Sequence, residues 1–340
     1  MTFSKIFKIF RQNLEAALVL MLGLLSLLSL STAGLHAALL KEGGSQEIKN
    51  PRPQFQGQEV LRVPMGTGQT ELGVITPEEA NPEGPMSFVV SAEGEIYVLD
   101  QVNSRVQVFK DGRREKTIPI PGAVFSDLEL LPGGHVALLD NVVDRVIVIV
   151  EESGRVIRKI SLVREGIPEP GAITGIYFRH EGKWPGLLAQ MDSRSILLAG
   201  PDGGPLAELM NFPGLLDWSG QHLLKVEMEG EKKASVLKSD EKFQNWTRYR
   251  AAFRLPLGRI YGVWEDKYES LYLAANCFDS KKETNEVIIF EPGGRELARI
   301  QLFVSGAPHE INNPVRVTPE GVIYQLAIDG QEVVIRKYND

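Results

Sequence analysis

The chain is poor in the residues that most often declare a chemistry. It has one cysteine, Cys277, so no disulfide can form within it. That thiol is expected to serve as a small apolar residue buried in a strand. No cysteine stands beside the N-terminal apolar segment, which excludes a lipid-modified cysteine anchor of the bacterial type. The five histidines are scattered, with no second histidine nearby in sequence, so no metal set is placed and no cofactor is expected. His309-Glu310 lacks the second histidine of a zincin, and nucleophile-elbow and P-loop patterns are absent. Gly66-Thr67-Gly68 lacks the third glycine and the strand-to-helix setting of a dinucleotide loop. The net charge of -7, without a sustained Lys/Arg stripe, excludes nucleic acid as a partner, because that binding needs a positive field to displace counterions.

What is present begins with a targeting segment over residues 1–40. Lys5, Lys8 and Arg11 precede residues 16–40, which carry no charge. Small residues follow the leucine-rich run, as before a signal-peptide cleavage site, yet the uncharged stretch also matches the roughly 20 residues that cross a bilayer. Both readings stand, cleavage being favoured by the small residues, and residues 16–40 contact the membrane if they are retained. Basic residues ahead of the span keep the N-terminus cytoplasmic, so the bulk of the chain is expected to be exported to the periplasm or another extracytoplasmic space. Residues 41–57 are polar and rich in Gly, Pro and Gln, the composition of a flexible linker. Residues 58–340 form the folded domain.

That domain repeats itself. Short apolar strands alternate with glycine turns at Gly94, Gly133, Gly182, Gly220 and Gly321, with a glycine-free turn near Glu269. The interval of roughly 40–50 residues is the length of a propeller blade. Six units of up to four strands can be counted, but the last stops after its third strand. An orphan strand, residues 59–63, lies ahead of the first unit. The economical solution is an all-β, six-bladed propeller in which this orphan completes the last blade and protects its edge.

The first unit resembles an NHL repeat, in GPMSFVVSAEGEIYVLD (residues 84–100) and NSRVQVF (residues 103–109). The motif decays through Asp140 and Arg145 in the second unit and Asp192 and Arg194 in the third, leaving only a strand pattern beyond. The resemblance implies a six-bladed ring closed between its termini. The Asp100/Arg105 and Asp140/Arg145 pairs share one offset and read first as structural clamps, the carboxylate accepting loop amides and the guanidinium tying it down. Their loops nevertheless share a face with Glu78, Glu79, Glu83, residues 164–169, Arg194, His309, Glu310 and Asn313, around one mouth of the central channel. A ligand or partner is expected there.

Two functional readings follow. One is a non-catalytic binding or scaffold module for a protein, small-molecule or glycan partner. The other is a metal-dependent lactonase or esterase. Glu83-Gly84-Pro85 resembles the opening of gluconolactonase-type propellers, with Asp127 and Asn313 as possible further ligands, though no full set can be placed. A separate candidate surface lies in the fourth unit, where Trp246, Tyr249 and Phe253 interleave with Arg248, Arg250, Arg254 and Arg259. Aromatic and arginine side chains are enriched at binding hot spots, although an ordinary outer strand gives the same alternation.

Overall fold

The computed structural model describes residues 56–76, 78, 81–305 and 310–339. The expected targeting segment, nearly all of the expected linker, Glu79 and His309 lie outside the described residues. β-Branched and leucine-rich runs punctuated by turn residues make strands here, as their composition dictates. The chain enters on β1 (Gln56–Pro64) and then builds blade one from β2 (Phe88–Val90), β3 (Ile96–Asp100), β4 (Arg105–Lys110) and β5 (Arg113–Pro119). Blade two is β6 (Asp127–Leu131), β7 (His135–Asp140), β8 (Val146–Val150) and β9 (Val156–Ser161). Blade three is β10 (Ile173–Arg179), β11 (Gly186–Met191), β12 (Arg194–Ala199) and β13 (Pro205–Phe212). Blade four is β14 (Leu215–Leu216), β15 (Leu223–Met228), β16 (Lys233–Ser239) and β17 (Trp246–Ala252). Blade five is β18 (Leu257–Glu265), β19 (Leu271–Phe278), β20 (Glu283–Phe290) and β21 (Glu296–Leu302). Blade six is β22 (Val315–Val317), β23 (Ile323–Asp329) and β24 (Glu332–Asn339), completed by β1, so the ring holds six four-stranded antiparallel sheets.

The closing strand is the one expected. β1 runs antiparallel to β24, from Gln56 opposite Asn339 to Pro64 opposite Glu332, with one irregularity between Glu59 and Leu61. Its inward residues Leu61 and Val63 are buried against Phe88, Val98, Leu326, Val333 and Ile335, which joins blades six and one. On its other face Arg62 binds Glu59 and Asp329, at 2.6 and 2.9 Å, and also Glu332.

Each seam between neighbouring blades has its own apolar cluster. The seam of blades two and three is the richest, and that of blades three and four is the leanest, with Leu188, Leu197, Phe212, Leu216 and Leu223 buried. Aromatic rings fill the lean seam, with Trp184 and Phe243 both packed on Phe212. Cys277 is buried in blade five, and burial pushes its thiol up to about 12. The turn from first to second strand takes glycine in the left-handed region at Gly94, Gly133, Gly182, Gly220 and Gly321. Blade five places Glu269 there instead, at φ 67°.

Antiparallel order fixes which loops share a face. Hairpins between second and third strands, and connections between blades, lie around one mouth. Turns between first and second strands lie on the opposite face.

Candidate binding face

Asp100 ends β3 fully buried and collects donors from its own blade and from the segment leading into it. Its carboxylate accepts from Arg105 Nε at 2.6 Å, the amide of Gly73 at 2.7 Å and Gln107 Nε2 at 3.1 Å. Arg105 continues to the carbonyls of Gly68 and Glu71. This clamp fastens residues 66–73 to blade one. The matching pair in blade two is different. Buried Asp140 accepts the amides of Val142, Val143 and Asp144 at 2.8–3.1 Å, while Arg145 points to solvent and forms no ion pair with it. Asp192 and Arg194 are likewise exposed and unpaired. The expected clamp is therefore complete only in blade one, because blade two satisfies its aspartate with loop amides alone.

The mouth is filled by the chain itself. The segment entering blade six runs beside the segment entering blade one, with the amide of Glu310 on the carbonyl of Pro82 and the amides of Asn312 and Asn313 on that of Met86. Asn312 Nδ2 then reaches the carbonyls of Ser126 and Thr174, both at 3.1 Å, in the entries to blades two and three. Arg259 of blade five donates to the carbonyls of Ile311 and Asn312. Residues 311–313 thus bond to blades one, two, three and five as a plug.

Below the plug, Asp127 binds four blades together. Its Oδ1 accepts from Ser87 Oγ at 2.6 Å and Arg316 Nη2 at 2.8 Å, and its Oδ2 accepts the amide of Ile176 at 2.8 Å. Gly175 packs closely beside it, since a β-carbon there would stand 3.1 Å from Asp127 Oδ2. Asn313 Nδ2 is buried at this level without a hydrogen-bond partner. Deeper on β6, burial raises the Glu129 carboxyl to about 7 against the opposing pull of Arg316. Glu83, suggested to open a metal set, accepts from Gln101 Nε2 at 3.3 Å. Asp127, its suggested partner, is occupied by a guanidinium.

The rim carries a second feature. Ile75, Val124, Val142, Val143, Val163, Met228 and Phe278 are exposed, and all stand on loops or strand ends of this face. Val142 and Val143, on the loop held open by Asp140, are 69% and 63% exposed. A shallow depression of about 420 Å³, lined by Phe278, Asp279, Lys281 and Lys282 among others, sits on the blade five hairpin at the same rim. Single exposed apolar residues are ordinary, and Trp218 and Tyr268 are exposed on the opposite face as well.

The candidate surface of blade four is dispersed. Tyr249 is a correction: it is buried in the seam with blade five and donates to the carbonyl of Pro292. Trp246 packs into the seam with blade three, under Lys225 at 4.5 Å from its ring, and Arg250 is exposed on the outer wall. Alternation along an outer strand separated them.

One constellation escaped sequence reasoning. On the face opposite the mouth, Asp217 and His222 flank the first turn of blade four, and Glu265 ends β18 of blade five. His222 Nδ1 lies 3.2 Å from Asp217 Oδ2 and 3.7 Å from Glu265 Oε2. Glu265 Oε1 accepts from Lys238, while Oε2 is buried without a hydrogen-bond partner. Burial also raises the Glu265 carboxyl to about 7. The only sequence signal was that Asp217 and His222 share a turn, since Glu265 comes from the next blade.

No protein-family model matches the chain, and no curated protein does. Solved structures resemble it in shape. Virginiamycin B lyase from Staphylococcus aureus is 11% identical with a TM-score of 0.42, over 83% of this chain and 99% of that one. A protein from Lactobacillus plantarum is 12% identical with a TM-score of 0.46, over 82% and 91%. A luciferin-regenerating enzyme is 11% identical with a TM-score of 0.45, over 75% and 91%. Similarity at this level says nothing about chemistry.

Proposed function

We propose that this chain is an exported binding module that engages a partner protein through the loops around its channel mouth. One observation carries the reading: the mouth is plugged by residues 311–313, bonded to four other blades, while apolar side chains stand exposed on the rim around it. Channel groups such as Asp127 and Arg316 are spent on one another, so they serve as a lock between blades. A rigid ring with irregular loops is the usual division of labour in binding proteins. The resemblance of blade one to an NHL repeat supports a role in protein contact. The N-terminal segment would deliver the ring across a membrane or hold it there.

The test pairs location with contact. Cell fractionation should place the chain outside the cytoplasm, and crosslinking in the cell envelope should recover a specific partner. Changing Val142 and Val143 together to serine should reduce that recovery at least tenfold while leaving the melting temperature unchanged. Equal recovery with the double variant would remove the mouth face as the contact surface.

Glu129 favours a second reading. A channel carboxyl raised to about 7 is poised for proton transfer near neutrality. Hydrolysis of lactones or esters that is lost on Glu129→Gln, or on Glu83→Gln at the rim, would make the ring an enzyme and displace the binding module.

A further inference from the structure

We propose that Asp217, His222 and Glu265 form a site for a divalent transition-metal ion of the zinc type, on the face opposite the mouth and independent of the reading above. The ligand atoms would be Asp217 Oδ2, His222 Nδ1 and Glu265 Oε2. One ligand atom from each of the three residues lies within 4.8 Å of the others. The two separations from His222 Nδ1 are 3.2 and 3.7 Å. Around a tetrahedral zinc ion with bonds of 2.0–2.2 Å, neighbouring ligand atoms stand roughly 3.3–3.6 Å apart. The spacing fits with small side-chain adjustments. One imidazole and two carboxylates are a donor set suited to zinc, and three protein ligands leave a fourth position for water.

The orphan oxygen separates this site from an ordinary ion pair. A protonated His222 donating to Asp217 satisfies Asp217, but Glu265 Oε2 at 3.7 Å is too distant to accept that hydrogen bond. The Glu265 side chain is 1% exposed, so this oxygen reaches little water either. A buried carboxylate oxygen without a donor is costly, and a cation in the gap would satisfy it. The surrounding groups already hold the ligands in place. Asp217 Oδ1 accepts the amides of Gln221 and His222, and Oδ2 accepts from Ser219 Oγ at 2.6 Å. Lys238 fixes the other oxygen of Glu265, and Arg179 of blade three holds the carbonyl of Asp217. Such outer contacts orient metal ligands. Lys238 and Arg179 also offset the two carboxylate charges, so binding should be of moderate strength. His222, with its side chain 21% exposed, leaves a path for the ion to enter.

The test uses purified full-length chain, stripped with chelator and titrated with zinc chloride. One zinc should bind per chain and raise the melting temperature. His222→Ala and Glu265→Gln should each weaken binding at least tenfold, while His180→Ala, on the same face, should leave it unchanged. Cobalt(II) in place of zinc should give visible absorption of tetrahedral character that Glu265→Gln reduces and His222→Ala abolishes. Wild-type affinity no tighter than that of His222→Ala would overturn the site. So would equal weakening by His180→Ala, which would mark the zinc as adventitious. If His222→Ala does not fold, Glu265→Gln decides alone: unchanged zinc affinity and an unchanged cobalt spectrum in that variant refute the assignment.

Discussion

Arg316 and Asp127 stand 2.8 Å apart in the channel although 189 residues separate them in the chain. The aspartate is fully buried and the arginine mostly so. Removing one partner of such a pair strands a buried charge, which costs about 3–5 kcal/mol. Arg316→Ala should lower the unfolding free energy by that amount, read as a lower denaturant midpoint at unchanged m. Adding Asp127→Asn to Arg316→Ala should recover part of the loss. A midpoint within error of the wild type would mean that the lock contributes nothing.

The two sequence-matched Asp/Arg pairs should separate in a stability assay. Asp100→Ala removes a buried acceptor of Arg105, Gln107 and Gly73 and should cost roughly 3 kcal/mol. Arg145→Ala touches an exposed side chain with no partner on Asp140 and should stay within about 0.5 kcal/mol. Chemical denaturation of both variants compares them directly.

Deleting residues 59–63 should leave a protein that aggregates or is rapidly proteolysed. Leu61 and Val63 alone bury side chains worth about 1.5–3 kcal/mol each, and the ladder to β24 is lost with them. Limited proteolysis and light scattering report the outcome. Wild-type protease resistance would show that the closing strand is dispensable.

Glu269 occupies a backbone conformation that an L-residue enters at a cost of roughly 1–2 kcal/mol. Glu269→Gly should raise the melting temperature, because the relief exceeds the chain entropy that glycine adds, about 0.4–1 kcal/mol. An unchanged or lower melting temperature would show that Glu269 stabilises by another route.

Glu129 should make stability fall as pH rises. Its carboxyl titrates near 7 in the folded ring and near 4.5 in the unfolded chain. Between those values the unfolded state loses its proton first, so its relative free energy drops and the fold weakens. The contribution is fully present below pH 4.5 and is lost through pH 7. Glu129→Gln should flatten this part of the pH profile of the melting temperature. An identical slope in the variant would show that the group titrates as in water.

The ring was legible because its signals are local. The glycine turns at 94, 133, 182, 220 and 321 and the apolar strands after them follow from nearest-neighbour rules, and the orphan strand at residues 59–63 follows from counting. The site was far less legible. The plug at residues 311–313 and the Arg316–Asp127 lock join segments that no short-range pattern connects. Tyr249 and Arg250 looked like one surface, yet adjacent residues of a strand face opposite ways. Val142 and Val143 carry no motif, and only the loop geometry set by Asp140 reveals their exposure.

The pairing of β1 with β24 also sets a timetable. β1, the first of the described strands to be made, must wait, unpartnered, until β24 has been made. Throughout synthesis the nascent protein therefore carries an open edge at its leading end. Loss of β24 would strand that edge permanently, so a stop codon at Glu332 should prevent closure of the ring.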